Sequence, residues 1–238
     1  MPPPGWQGDK RFVRSLVDDL TPAIARTTGG KLYRMRAGPC GTEGCVFYGL
    51  HPHAGRVVAK VGFRPVHVPD WKRTDYEAAS MTTGDHLPGI ADVFGTWQSR
   101  RTGAYLVLRE RVHTDWGRFI RETGVRRKAL WAGFDALFNY GNAMESTCYR
   151  GEPLPKMTRV LNTIRKAGLL PVARGVQALA RRGVCVGYDL HPGNLGWRRA
   201  RNGAPEAVTF DTGFASSPSP QPWGKGPTLD AYRRALAC

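Results

Sequence analysis

The chain has 238 residues, a net charge of +16 and a hydrophobic content of 41%. This length suffices for one domain of two lobes or for two small domains with a real core. No apolar run approaches the length needed to span a membrane. Half of the excess positive charge falls in residues 121–182. Such a field attracts nucleotide phosphates, acidic proteins or nucleic acid, although a solvated helical surface accounts for it equally well.

The five cysteines are odd in number and include no Cys-x-x-Cys pair. This usage predicts reduced thiols in a cytosol rather than a disulfide framework or a zinc site. The first residues, Met-Pro-Pro-Pro-Gly, lack the basic and apolar pattern of a signal peptide. We therefore expect a cytoplasmic protein with no membrane partner.

The first half of the chain alternates between helical and strand patterns. Apolar residues at helical spacing predict an amphipathic helix over residues 10–27, ended by Gly29 and Gly30. A second helix is predicted over residues 71–83. Five β-rich runs predict an antiparallel sheet around one helix, and they are residues 31–36, 45–50, 56–62, 93–97 and 104–108.

A glycine-rich turn follows the first predicted strand. Gly41 and Gly44 flank it, and Val46 comes two residues later. Glycines let the backbone approach a phosphate closely and aim N–H groups at it. A lone Gly-x-x-Gly is more often a plain turn, so its meaning depends on its neighbours.

Lys60 lies within a run of β-branched residues, although lysine is depleted from strands. It is either a phosphate ligand or a solvent-facing lysine on an edge strand. Glu77, in the predicted helix over residues 71–83, is the candidate partner of Lys60, and Asp75 is the alternative. Either acid could equally be a surface residue of an amphipathic helix.

The second half of the chain is predicted to be mainly helical. Its helices are expected at residues 115–123, 126–147, 156–168 and 171–182. Two short apolar runs then predict buried strands at residues 184–186 and 207–210.

An aspartate follows each of these two strands. Asp189 and Asp211 occupy these positions, and Asn194 comes five residues after Asp189. Carboxylate and amide oxygens on strand ends can hold Mg²⁺, which usually shares its ligands with substrate phosphates. Asp-x-x-x-x-Asn alone occurs by chance in many chains, where it forms a turn with side-chain caps.

The order of these residues resembles the protein-kinase superfamily. Asp189 to Asn194 matches the catalytic-loop pattern, and Asp211-Thr212-Gly213 stands where kinases carry Asp-Phe-Gly. The resemblance implies an α+β fold: a minimal, two-lobed kinase-like domain over residues 1–238. Its parts would be an N-terminal helix (10–30), a five-stranded N-lobe (31–111) and a mainly helical, truncated C-lobe (112–238).

The same resemblance implies ATP and Mg²⁺ as cofactors and a role for each site residue. Asp189 would accept the proton of the acceptor hydroxyl, and Asn194 and Asp211 would hold the metal. Residues implied to act on the nucleotide are Gly41, Gly44, Val46, Lys60 with its partner Glu77, Glu110 in the hinge, and His191 near the γ-phosphate.

The chain departs from the kinase pattern in three places, and the last of them leaves the substrate class open. Gly187-Tyr188 replaces the usual His-Arg, and His191 replaces the usual lysine. After Gly213 no Ala-Pro-Glu follows, and the remaining segment is too short for the helical platform that binds peptides in ordinary protein kinases.

Residues 55–63, 88–90 and 188–194 are similar to the early serine/threonine kinases of short-tailed lytic bacteriophages. This implies phosphorylation of host bacterial proteins of transcription, translation or RNA processing, in the bacterial cytoplasm. Nucleic-acid contact through the basic C-lobe would not be required. Alternatives are an aminoglycoside- or choline-type phosphotransferase, a minimal bacterial effector kinase, and a pseudokinase that binds and inhibits a host protein.

Overall fold

The computed structural model describes residues 9–40, 44–63, 72–73, 79–100, 102–150, 157–181, 190–211 and 215–216. The chain divides into two compact units. The first unit comprises Met1–Val68, Ala79–Asp85 and Asp92–Arg111. The second unit comprises Pro69–Ala78, His86–Ala91 and Val112–Cys238.

The first unit is built on a five-stranded antiparallel sheet. Its strands are β1 (Tyr33–Cys40), β2 (Gly44–His51), β3 (Gly55–Phe63), β5 (Val93–Gln98) and β6 (Ala104–Glu110). They lie in the order β1-β2-β3-β6-β5. All five strands predicted from the β-rich runs are therefore present.

One helix, α1 (Lys10–Thr28), covers one face of this sheet. The Asp9 carboxylate caps its first turn by accepting from the backbone N–H groups of Arg11 and Phe12. Gly29 ends it with a φ of 72°, a conformation that favours glycine. The helix predicted over residues 10–27 is confirmed, and its apolar stripe forms a core with the inward residues of β2, β3 and β6.

The helix predicted over residues 71–83 is wrong at both ends. Lys72–Arg73 forms a short strand, β4, that pairs with β9 (Ala215–Ser216). Residues 79–80 are helical, but the Thr82 and Thr83 hydroxyls both donate to the Ala79 carbonyl, at 3.0 and 3.1 Å. These hydroxyls compete with backbone N–H groups for the Ala79 carbonyl and so help to end the helix there.

The second unit is mainly helical. Its helices are α2 (Trp116–Thr123), α3 (Arg127–Arg150), α4 (Thr158–Lys166) and α5 (Leu170–Arg181). Each coincides with a predicted helix to within three residues. A hairpin of β7 (Leu195–Arg199) and β8 (Pro205–Thr209) follows. The predicted α+β class, with a five-stranded sheet and a mainly helical second part, is therefore confirmed.

The prediction that the cysteines are reduced is wrong for one pair. Cys40 and Cys45 form a disulfide across the β1–β2 hairpin. The register places them directly opposite one another at the end of the two strands. The signal in the sequence was a short, glycine-containing turn between two cysteines.

Within the described part of the chain, no helix has both the length and the apolar character needed to cross a membrane.

Candidate functional site

Lys60 lies on an interior strand of the first unit. β3 is flanked by β2 and β6, and Lys60 is opposite Val46 on one side and Val107 on the other. The predicted alternative of an edge-strand lysine is therefore excluded. Because side chains alternate along a strand, Lys60 points away from the face where Ala59 and Val61 pack against α1, and it is half-buried.

The described end of the glycine turn lies beside this lysine. Gly44 opens β2 and pairs with Gly62 of β3, two residues from Lys60. A side chain at Gly44 would meet the Val61 carbonyl oxygen, so the close approach of the two strands requires glycine. Val46 is the direct cross-strand neighbour of Lys60. Gly41 lies outside the described residues.

Two backbone N–H groups of the predicted hinge, residues 109–112, are already engaged within the first unit. The N–H of Glu110 donates to the Asp92 carbonyl at 2.9 Å, and the N–H of Arg111 donates to the Arg56 carbonyl at 3.2 Å. The Glu110 carboxylate accepts from the Asp92 N–H at 3.3 Å. Recognition of an adenine edge here would rest on other backbone groups of the hinge.

In the second unit, the β7–β8 hairpin brings Asn194 and Asp211 to the same end of a two-stranded sheet. Leu195 is opposite Thr209. The N–H of Phe210 donates to the Asn194 carbonyl at 3.1 Å. The buried Thr209 hydroxyl is within hydrogen-bond distance of two carbonyl oxygens, that of Asn194 at 3.2 Å and that of Asp211 at 3.1 Å. Thr209 therefore ties the two predicted metal-binding residues together.

His191 has a local structural role. It precedes the short 3₁₀ turn Pro192–Asn194, and its Nδ1 accepts from the Gly193 N–H at 3.1 Å. The ring is exposed. Its Nε2 is therefore the nitrogen that a phosphate could meet.

Sequence reasoning missed the residues that anchor this hairpin. Arg198 and Glu206 form a buried ion pair at 3.0 Å. Glu206 also accepts from the Gly89 N–H at 2.9 Å, and Arg198 also contacts the Leu87 carbonyl at 3.4 Å. The N–H of Thr209 donates to the Gly89 carbonyl at 2.9 Å. In the sequence, Arg198 and Glu206 look like ordinary charged residues, and only the pairing of the two strands shows that they face one another.

Asp189, Glu77 and the alternative Asp75 lie outside the described residues. Within the described ranges, no group of three or more His, Cys, Asp or Glu residues could hold a metal ion. The described donors are an amide and a carboxylate, from Asn194 and Asp211. This set fits Mg²⁺, which prefers oxygen and keeps several positions for water and substrate phosphates.

No family model matches the chain, and no curated protein matches it. Among solved structures, it is similar to the kinase domain of Mycobacterium tuberculosis PknI. The identity is 17% and the TM-score is 0.41, over 81% of this chain. The chain spans 62% of the length of that kinase domain. A likeness of this size identifies neither an activity nor a substrate.

Proposed function

We propose that the protein is an ATP- and Mg²⁺-dependent phosphotransferase of the protein-kinase type, which transfers the γ-phosphate to serine or threonine hydroxyls of proteins. The observation that carries this proposal is the β7–β8 hairpin, which holds Asn194 and Asp211 at one end of a sheet. The position of Lys60 on an interior strand of a five-stranded sheet adds to it.

Residues of the first unit would bind the nucleotide. Backbone N–H groups of the glycine turn would donate to phosphate oxygens, as glycine-rich turns do. The Lys60 ammonium would neutralise charge on the α- and β-phosphates. Glu77 would hold the lysine in place.

Residues of the second unit would hold the metal and orient the acceptor. The Asn194 amide oxygen and the Asp211 carboxylate would be Mg²⁺ ligands. When bound, the metal supplies charge neutralisation for the phosphates. Asp189 would accept the proton of the attacking hydroxyl.

The resemblance to bacteriophage kinases supports host bacterial proteins as acceptors, in the bacterial cytoplasm. The net charge of +16 adds support for acidic protein surfaces and disfavours the cationic substrates of aminoglycoside- or choline-type enzymes. The particular targets would belong to transcription, translation or RNA processing.

The test is incubation of the protein with Mg²⁺ and γ-labelled ATP in a bacterial lysate. The Asp189→Asn variant removes the proposed proton acceptor. Asp135→Asn, an exposed aspartate on α3, is the matched control. We expect label on serine and threonine of lysate proteins with the native chain and with the control, and none with Asp189→Asn.

Three other outcomes would change the assignment. Label only in small molecules would indicate an aminoglycoside- or choline-type acceptor. Bound nucleotide with no transfer would indicate a pseudokinase. Equal labelling by Asp189→Asn would contradict the proposed proton acceptor.

A further inference from the structure

A cavity of about 230 Å³ lies within the second unit, where α3, α4 and α5 meet. Four polar side chains line it: Tyr140 from α3, Arg165 from α4, and Arg174 and Gln177 from α5. No residue of the proposed phosphotransfer site is among them. This cavity needs a separate explanation.

The turn between α4 and α5 joins the two helices that carry Arg165 and Arg174, both of which are exposed residues that line the cavity. Gly168, with a φ of 73°, makes the turn, and its N–H donates to the Arg165 carbonyl at 3.0 Å. On the facing helix α3, Gly133 is so close to Ala167 that a side chain there would meet the alanine. Because the three helices are held by backbone bonds and close packing, the cavity walls are already formed.

The charge of the cavity is positive. Two guanidinium groups line it, and no lining residue carries a carboxylate. One nitrogen of Arg165 donates to the side-chain oxygen of Asn162 at 3.1 Å. Because this amide is neutral, the bond does not compensate the positive charge of the guanidinium group. Arg181 adds a further positive charge near Tyr140. Such a site attracts an anion.

Tyr140 contributes a hydroxyl donor. The residue is only 5% exposed, and its hydroxyl has no hydrogen-bond partner among the described residues. Burial raises the pKa of Tyr140, partly opposed by the charge of Arg181. The phenol therefore stays protonated at neutral pH and can donate a hydrogen bond to an anion.

We propose that this cavity is a binding site for the phosphate group of a small phosphomonoester. Guanidinium groups match phosphate oxygens in pairs of hydrogen bonds, which favours phosphate over a single-point anion. Leu161 and Leu170 form an apolar wall for the carbon part of the ester. The volume is below the roughly 300–1,000 Å³ of typical ligand sites, which favours a small group over a whole nucleotide.

The ester has two possible sources, a free metabolite or a phosphorylated serine side chain of a protein. The shared chemistry is a phosphate on a short carbon chain. The proposal does not depend on the proposed phosphotransferase activity, because it concerns binding alone.

Isothermal titration calorimetry of the full chain tests the proposal, with O-phosphoserine, inorganic phosphate, a phosphoserine peptide and its unphosphorylated form as probes. Arg165→Gln and Arg174→Gln should each weaken phosphoserine binding roughly tenfold. Arg159→Gln is the matched control, since Arg159 is an exposed arginine of α4 that does not line the cavity. It should leave the affinity unchanged.

Two more conservative variants distinguish a loss of binding from a loss of folding. Tyr140→Phe should weaken binding by a few-fold while the midpoint of thermal unfolding stays constant. Arg165→Lys, which retains the charge but not the two-pronged donor, should bind more weakly than the native chain and more tightly than Arg165→Gln.

Each outcome of the titrations either supports or overturns the proposed phosphate site. Binding of phosphoserine and of the phosphopeptide with equal affinity would support the proposal with a free ester as ligand, and tighter binding of the phosphopeptide would support it with a protein as source. Absence of binding by all phosphate probes would overturn it. An equal loss in Arg159→Gln would also overturn it, because attraction would then come from the general positive surface.

Discussion

The two units hold their candidate site residues by different means. In the first unit, Lys60 lies on an interior strand whose other face packs into an apolar core with α1. In the second unit, Asn194 and Asp211 lie at the end of a hairpin of only two strands. That hairpin is anchored by a buried ion pair and by backbone bonds to residues 89–91. The first arrangement depends on many small apolar contacts, and the second depends on a few polar ones.

The largest expected effect comes from breaking the buried ion pair of the hairpin. Arg198→Ala leaves the Glu206 carboxylate buried without its cation, and such losses cost about 3–5 kcal/mol in the free energy of unfolding. Urea denaturation measures this change. Arg199→Ala is the control, since Arg199 is 52% exposed and its partner Glu122 keeps a second ion pair with Arg118, and it should cost less than about 1 kcal/mol. Equal losses of unfolding free energy in the two variants would show that the buried ion pair does not anchor the hairpin.

The next largest loss of stability is expected at Gly89, whose backbone N–H and carbonyl bond to the hairpin. Gly89 has a φ of 72°, and a side chain there would meet the Pro171 backbone. Gly89→Ala should therefore destabilise the protein by about 3 kcal/mol, through both backbone strain and collision.

Gly124→Ala is the matched control for Gly89→Ala. Gly124 has a φ of 69° and nothing within 4 Å of a new side chain. The Gly124→Ala variant should lose only the free energy of unfolding that backbone strain costs, about 1–2 kcal/mol. Thermal unfolding of both variants would separate the two causes. A Gly89→Ala variant as stable as Gly124→Ala would contradict the close packing of residues 89–91.

A smaller effect is expected from the disulfide of the first unit. Cys40 and Cys45 lie five positions apart in the sequence, and closing so short a loop stabilises a fold by about 2 kcal/mol. Cys40→Ser should lower the free energy of unfolding by that amount under oxidising conditions. The same variant should equal the native chain once reductant is added. A persistent difference in reductant would show that Cys40 acts through packing instead.

The smallest effect is a pH dependence at the other end of β2. Burial, and to a lesser degree the neighbouring charge of His53, lowers the pKa of His51, with an opposing contribution from a backbone hydrogen bond with Gly30. Its Nδ1 accepts from the N–H groups of His53 and Ala54, so the fold binds the neutral ring. The stabilisation is therefore complete above the ordinary histidine pKa of 6.5 and is lost as the pH falls below it.

Urea denaturation at pH 7 and pH 5 measures this dependence. The native chain should lose more stability on acidification than the His51→Asn variant, whose side chain can still accept a backbone hydrogen bond. His53→Asn is the control, since His53 is exposed and should leave the pH dependence in place. Equal pH dependence in the native chain and in His51→Asn would contradict the assignment.

The sequence predicted the large sheet and the long helices because their periodic patterns are strong. Buried and less buried residues alternate in β3 from Val57 to Val61, and the apolar stripe of α1 repeats from Val13 to Ile24. The interior position of Lys60 could not be predicted, because the sheet order β1-β2-β3-β6-β5 is set by pairing between distant segments.

The hairpin of the second unit was only half predicted. The apolar residues of β8 predict a strand, whereas the sequence analysis predicts none at β7, which ends in two arginines. The fold buries Arg198 because Glu206 faces it across the hairpin, and a linear pattern does not show such a partner. Likewise, β4 pairs with residues 215–216, and a linear pattern does not show a partner so far along the chain.

The sequence predicts the site residues that belong to short motifs, and it does not predict those that act through contacts with distant segments. Asn194 and Asp211 were identified from short motifs, and the structure brings them to one end of the hairpin. Thr209, which joins them, and the anchor formed by Arg198 and Glu206 were missed because they act through tertiary contacts.

The most direct test of the central claim is the rate of γ-phosphate transfer to lysate proteins by the Asp211→Asn variant, measured beside Asp135→Asn at saturating Mg²⁺. If Asp211 holds the metal, its loss should reduce transfer by roughly a hundredfold or more while the control keeps the native rate. Unreduced transfer by Asp211→Asn would contradict the metal assignment, and with it the proposed reaction.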